Sequence, residues 1–307
     1  RGVGTGPDKE GVMKGRTKVA MVLISAALTV LATSSGAPAD SAATCLGERA
    51  TIVGTEGDDL IAGTSKDDVI VALAGNDVIN AHGGDDLVCA GDGNDRIDAG
   101  DGFFDGIDGG AGDDWIDGGD AALTIAIYKD SPGPVVVDLS ARTASGDGTD
   151  TLANLNSVVG SDFDDVLTGD GRMNLIAGED GNDTIRSGGG ADMVSGDAGD
   201  DVVDGGAGRD VAVYYDSPNG VVVNLGTGKA VGWGTDRLSH FEDVDGSNHA
   251  DRLLGTVGGN RLEGEGGADR LIGLGANEVL SGNGGRDFAD GGGGRDRCSA
   301  ERRARCP

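Results

Sequence analysis

The sequence predicts an all-β chain wound as a parallel β-roll, a β-solenoid of glycine-rich nonapeptides, and three observations carry the prediction. Asp59, Asp68, Asp77, Asp86 and Asp95 stand nine residues apart. Two residues after each comes an aliphatic side chain: Ile61, Ile70, Ile79, Val88 and Ile97. A short glycine-rich run surrounds each aspartate, so the unit reads Gly-Gly-x-Gly-x-Asp-x-U-x with U aliphatic, a period that marks stacked repeats.

Each half of the unit has its own physical reason. The glycine-rich half cannot be helix, because glycine is costly there and Asp beside Gly favours turns. Glycines at positions two and four permit positive φ, which bends the backbone tightly and turns carbonyl oxygens to one side. The acid at position six adds a charged oxygen. The last three residues form a minimal strand whose aliphatic side chain points inward.

The units fall into three arrays. The first runs from Gly54 to about Ala126 and includes a ten-residue unit carrying Asp105, a regular unit carrying Asp114 and a worn one at 118–126, with Leu123 and Thr124 where an acid should be. The second, Gly160 to Val213, places Asp165, Asn174, Asp183, Asp192, Asp201 and Asp210 at the acid position. The third, Gly246 to Cys298, places Asp251, Asn260, Asp269, Glu278, Asp287 and Asp296 there. Over this beat lies a repeat of 86 residues: Asp130-Ser131-Pro132 returns as Asp216-Ser217-Pro218, Val135–Leu139 as Val221–Leu225, and Gly148-Thr149-Asp150 as Gly234-Thr235-Asp236. The spacers keep strand character and are expected to be wider turns of the same solenoid.

Composition sharpens the argument. The chain has 307 residues, of which 60 are glycine; aromatics are 3% and the formal net charge is −29. Such a chain ordinarily stays disordered, because burial cannot offset chain entropy. A disordered chain has no reason to keep aliphatics on a nine-residue grid, so the composition points to a fold that needs cations to neutralise it. The same charge argues against nucleic acid and anionic membranes as partners.

The front of the chain has the order of a secretory signal. Lys14, Arg16 and Lys18 precede an apolar stretch, Val19 to Ala32, and small-residue cleavage sites at Ala37-Pro38-Ala39 and Ser41-Ala42-Ala43. The apolar stretch of 14 residues is short for a bilayer span, so no membrane insertion is expected after cleavage. The expected organisation is an upstream extension with signal peptide (1–43), a first array (44–125), a spacer with the second array (126–211), a spacer with the third (212–297) and a cysteine-containing tail (298–307). Export makes disulfides available. Cys45, Cys89, Cys298 and Cys306 allow three pairings. The preferred one, Cys45–Cys89 with Cys298–Cys306, clasps each end. Simple stacking would leave Cys45 and Cys89 roughly 10 Å apart, so the leading segment would have to fold over the end of the roll.

These units resemble the RTX, or haemolysin-type, calcium-binding repeat family, over about 20 units between Gly54 and Cys298. The resemblance implies a right-handed parallel β-roll with two nonapeptides per turn. It also implies multiple Ca2+ ions, each lying between a loop and the loop two units later, held by position-six carboxylates and backbone carbonyls. The implied metal residues are Asp59, Asp68, Asp77, Asp86, Asp95, Asp114, Asp165, Asp183, Asp192, Asp201, Asp210, Asp251, Asp269, Asp287 and Asp296. Oxygen-only ligands suit calcium better than zinc, copper or magnesium. Loops that depart from the pattern are expected to bind more weakly: those with Lys66, Phe163, Arg172, His249 or Ala276 at position four, with Asn174 or Asn260 for the acid, or with the longer Glu278.

Other chemistry has no foothold in the sequence. There is no His-Glu-x-x-His, no Gly-x-Ser-x-Gly, no Gly-Lys-Ser/Thr loop and no EF-hand pattern. His82, His240 and His249 are scattered. Paired acids such as Asp58-Asp59 repeat on the nonapeptide grid, which makes them loop residues and not a glycosidase pair. Trp115 is expected to face outward from a strand, and Trp233 lies in a spacer loop; both are expected to pack on a neighbouring turn. The expectation is thus a secreted, non-enzymatic calcium-binding protein. The alternatives are a calcium-stiffened adhesion or matrix module and the repeat portion of a secreted hydrolase. The sequence names no macromolecular partner.

Overall fold

A computed structural model describes residues 43–306. The expected signal lies, apart from Ala43, outside the described residues. Among them every regular element is a strand, most of three residues, and no helix occurs.

The strands alternate between two long sheets. In one, Leu60–Ala62 pairs in parallel with Val78–Asn80, which pairs with Arg96–Asp98 and then with Trp115–Asp117, so that Ile61, Ile79, Ile97 and Ile116 stack. In the other, of 13 strands, Ile70 stacks on Val88 and Val88 on Ile107. Partners such as Ile61 and Ile79 are 18 residues apart, so two nonapeptides make one turn, as the resemblance implied. The aliphatic positions face each other between the sheets and form one continuous core, in which Ile70, Val88, Ile97, Leu167, Ile176, Leu253 and Leu262 are fully buried. A three-residue strand cannot stand alone; each owes its place to ladder bonds and to the core residue above and below it.

Both spacers keep the second sheet continuous: Leu123–Ile127 pairs with Ser157–Val159, and Val211–Val213 with Asp243–Asp245. In the first sheet they do more than widen a turn. Val136–Asp138, Thr143–Ser145 and Thr149–Ala153 form an antiparallel meander whose outer strands rejoin the parallel stack on either side. Val222–Asn224, Lys229–Val231 and Thr235–Ser239 repeat the arrangement. The reversal has a local cause. Asp138 Oδ1 accepts from Ser140 Oγ (2.6 Å) and the Ala141 N–H (2.8 Å), and Arg142 takes φ +63°. Asn224 and Gly228, φ +65°, do the same in the second copy.

Cys45–Cys89 and Cys298–Cys306 are bonded, with Cα separations of 5.6 and 6.0 Å. The first closes differently from the expectation. Cys89 follows inward Val88 and therefore faces out. The leading hairpin, Thr44–Cys45 with Glu48–Arg49, meets it on the outer face, where Leu46 packs with Leu123 and Ile125. At the other end Arg302–Ala304 pairs with Phe288–Asp290, and Arg305 forms an ion pair with Asp290. The ring of Trp115 carries the Arg96 guanidinium from the preceding turn 3.6 Å from its centre, and Trp233 lines a small cavity with Leu175, Val213 and Tyr215.

Candidate metal centres

An 18-residue turn places each position-six acid over the one two units earlier. Its Oδ1 accepts the backbone N–H of that predecessor. The N–H groups of Asp59, Asp68, Asp77 and Asp95 reach Asp77, Asp86, Asp95 and Asp114 at 2.7–2.8 Å. Asp165, Asp183 and Asp192 reach Asp183, Asp201 and Asp210 at 2.8–2.9 Å. Asp251, Asp269 and Glu278 reach Asp269, Asp287 and Asp296 at 2.9–3.1 Å. The result is a carboxylate ladder beside each sheet.

The ladder satisfies only one oxygen of each carboxylate. Oδ2 of Asp77, Asp86, Asp95, Asp114, Asp183, Asp192, Asp201, Asp210, Asp269 and Asp296 is buried with no hydrogen-bond partner, as are Asp105 Oδ2 and both oxygens of Glu278. A buried unpaired carboxylate oxygen is expensive, and so many in register call for a shared partner. The titration behaviour says the same. Burial, reinforced by neighbouring acids and only partly offset by the ladder N–H, pushes Asp183 up to about 9 and Asp114 to about 8. The same causes bring Asp105, Asp201 and Asp269 to about 7, and Asp86, Asp95 and Asp210 to about 6. Glu278 rises to about 8, mainly through burial and then through Asp296.

The remaining sequence-predicted residues also stand on the ladders, in other circumstances. Asp68, Asp165 and Asp251 have both carboxylate oxygens engaged, and in these three and in Asp59 the residue at position two of the same loop holds Oδ2. Asp287 accepts from Asp269, and its own N–H donates to Glu301 Oε2 (2.7 Å). Several ladder residues were not singled out from the sequence as metal sites. Asp105 accepts from Asp86 (3.0 Å), Asp150 from Asp114 (3.2 Å), Asn156 from Thr124 (3.0 Å), Asp236 from Asp201 (3.4 Å) and Glu242 from Asp210 (3.0 Å). The duplicated Gly-Thr-Asp of the spacers carried the signal for Asp150 and Asp236. A second ladder, at position five, runs the other way: Asp58, Asp67, Asn76, Asp164 and Asn182 each accept the N–H of the residue 18 later. The paired acids of the sequence therefore have two structural roles.

Among the described residues no three His, Cys, Asp or Glu side chains converge as a metal cluster. Each loop offers its position-six carboxylate singly, beside the backbone carbonyls of the loop. That donor set is all oxygen, which fits a hard cation of high, flexible coordination number and does not fit zinc. His82 lies in a loop with φ +72°, the His249 N–H donates to Ser247 Oγ (3.1 Å) in another, and His240 pairs with Asp204 at 2.6 Å.

Four segments, residues 53–88, 177–212, 245–277 and 272–302, match the family model of the RTX calcium-binding nonapeptide repeat. A search of curated proteins finds no match. With the repeat matched in all three arrays and wound as a parallel β-solenoid, the chain carries RTX-type calcium-binding nonapeptide repeats.

Proposed function

We propose that the chain is a secreted protein that takes up Ca2+ between its turns, folds as it does so, and performs no catalysis. The observation that carries this reading is the row of buried carboxylate oxygens without partners. Asp77, Asp86, Asp95, Asp105, Asp114, Asp183, Asp192, Asp201, Asp210, Asp269, Glu278, Asp287 and Asp296 would hold the ions, with backbone carbonyls of the same loops completing the shell. Export is supported by the two disulfides, which suit an oxidising compartment.

The energetics favour coupling of binding to folding. Carboxylates stacked at strand spacing, about 5 Å, repel by roughly 3 kcal/mol per pair at an effective dielectric of about 20. One buried aliphatic residue per unit returns only about 1.5–3 kcal/mol before chain entropy is counted. A divalent ion reverses the electrostatic sign, so its binding free energy becomes folding free energy. A calcium titration at neutral pH, followed by far-UV circular dichroism, should show β signal rising to a plateau from a low start in chelator. Full β signal in excess chelator would overturn the reading.

A further inference from the structure

We infer that the ladder contains two kinds of loop, open loops that take a cation and closed loops that need none, and that a closed turn begins every array. The inference rests on the calcium reading above and goes beyond it by saying which repeats are ion-free.

In closed loops the chain supplies what an ion would. Asp59 Oδ2 accepts the Thr55 N–H (2.6 Å) and Oγ1 (3.0 Å), and Asp68 Oδ2 accepts the Thr64 N–H (2.7 Å) and Oγ1 (2.9 Å). Asp165 takes the Ser161 N–H (2.6 Å) and Oγ (2.8 Å) on its two oxygens, and Asp251 takes those of Ser247 (2.6 and 2.7 Å). Where the acid is asparagine, the amide does both jobs. Asn174 Oδ1 accepts the Asp170 N–H (2.8 Å) while its Nδ2 donates to the Asn156 carbonyl of the preceding turn (2.8 Å). Asn260 does the same with Thr256 and the Glu242 carbonyl, both at 2.6 Å. In the spacers a buried phenol fills the role: Tyr128 Oη donates to Asp150 Oδ2 and Tyr214 Oη to Asp236 Oδ2, each at 2.9 Å.

Within the nonapeptide arrays, the backbone at position two separates the sets. In the closed loops Thr55, Thr64, Ser161, Asp170, Ser247 and Thr256 avoid positive φ, so their N–H can point at the acid. In the loops with an unpartnered oxygen the same position is left-handed: Leu73, His82, Gly91, Gly100, Gly110, Glu179, Gly188, Asp197, Gly206, Glu265, Leu274 and Gly292 all have φ between +61° and +105°. Non-glycine residues rarely accept this conformation. Its adoption by leucine, histidine and acidic residues shows that the open geometry follows the loop and not merely the presence of glycine.

Position in the fold supplies an independent observation. The closed pairs Asp59/Asp68, Asp165/Asn174 and Asp251/Asn260 are the first two loops of the three arrays. Position four distinguishes the same turns. A Cβ built on Gly199 or Gly285, in later turns, would lie 1.5 or 1.4 Å from the carbonyl oxygen of the preceding turn. A Cβ on Gly57, in the first turn, would meet nothing within 4 Å. Of the five departures from glycine at position four, Lys66, Phe163, Arg172 and His249 stand in first turns, where a side chain costs no stacking contact, and Ala276, the smallest of the five, stands in a later one. Each array therefore starts on an ion-free turn, which serves as the platform for the cation-dependent turns behind it.

The test compares bound calcium by native mass spectrometry of the mature, disulfide-intact chain and its variants at saturating calcium. Asp201→Asn should lose at least one ion. Asp165→Asn and Asp251→Asn should retain the wild-type number with unchanged titration midpoints, asparagine being already the residue at 174 and 260. Opening a closed loop by Asp170→Gly with Asn174→Asp should add an ion. Loss of an ion from Asp165→Asn or Asp251→Asn, equal to that from Asp201→Asn, would overturn the division while leaving calcium binding intact. A wild-type chain that binds no calcium would instead overturn the calcium reading itself.

Discussion

At the scale of single residues, the protein places carboxylates where water cannot solvate them. A buried Asp ordinarily gains a cationic partner or keeps its proton. Here Asp183, Asp114 and Asp201 are held above the usual 3.8 chiefly by burial. A raised folded-state value means the metal-free fold binds more protons than the unfolded chain. That contribution is complete below about pH 4 and is lost as pH rises through about 6 for Asp86, Asp95 and Asp210, about 7 for Asp105, Asp201 and Asp269, and about 9 for Asp183. In chelator, then, the chain should be more ordered at pH 4.5 than at pH 8, with protons standing in for calcium. Far-UV circular dichroism across that range checks this; a metal-free signal that is flat, or that rises with pH, would contradict it.

The element that matters is the loop, and its geometry is set by stacking. At position four in later turns, Ala276 apart, glycines such as Gly199 and Gly285 face a carbonyl below that leaves no room for a Cβ. Gly199 adds φ +151° to that close approach. Gly199→Ala should lower the stability of the calcium-loaded protein by about 2–4 kcal/mol, from left-handed strain together with displaced stacking. Gly57→Ala, where space is open, should stay within about 0.5 kcal/mol. Denaturant midpoints at fixed free calcium measure both, and equal effects would contradict the stacking account. The spacers follow other rules. Their meanders close through ordinary turn chemistry at Asp138 and Asn224, and their buried tyrosines answer the ladder acids from 22 residues upstream.

At the scale of the molecule, the nine-residue grid revealed the parallel roll and the inward row of Ile61, Ile70 and Ile79, because a strict period can come only from a repeating turn. It also placed the position-six acids in register, and left the position-five ladder to the structure. It did not reveal the antiparallel meanders, since Val135–Leu139 and Thr149–Ala153 read as strands without stating their direction. The outer-face route to Cys89 was hidden for a similar reason: it depends on which side of the sheet residue 89 faces once the turn closes. Asp59 and Asp183 look alike in sequence, yet one has its second oxygen engaged and the other does not. The difference lies in the φ angle of the residue four positions earlier, Thr55 against Glu179, and glycine content alone does not report it.

Small-angle scattering at pH 7.5, with and without calcium, tests most directly whether cations hold the roll together. A stack of 13 strands at about 4.8 Å spacing is about 60 Å long, which gives a radius of gyration near 20 Å for the loaded rod. An unfolded chain of this size approaches about 55 Å. The account predicts a compact rod in millimolar calcium and a large expansion toward the unfolded value in excess chelator, reversed on adding calcium back. The same compact profile in both conditions, with metal removal verified, would contradict it.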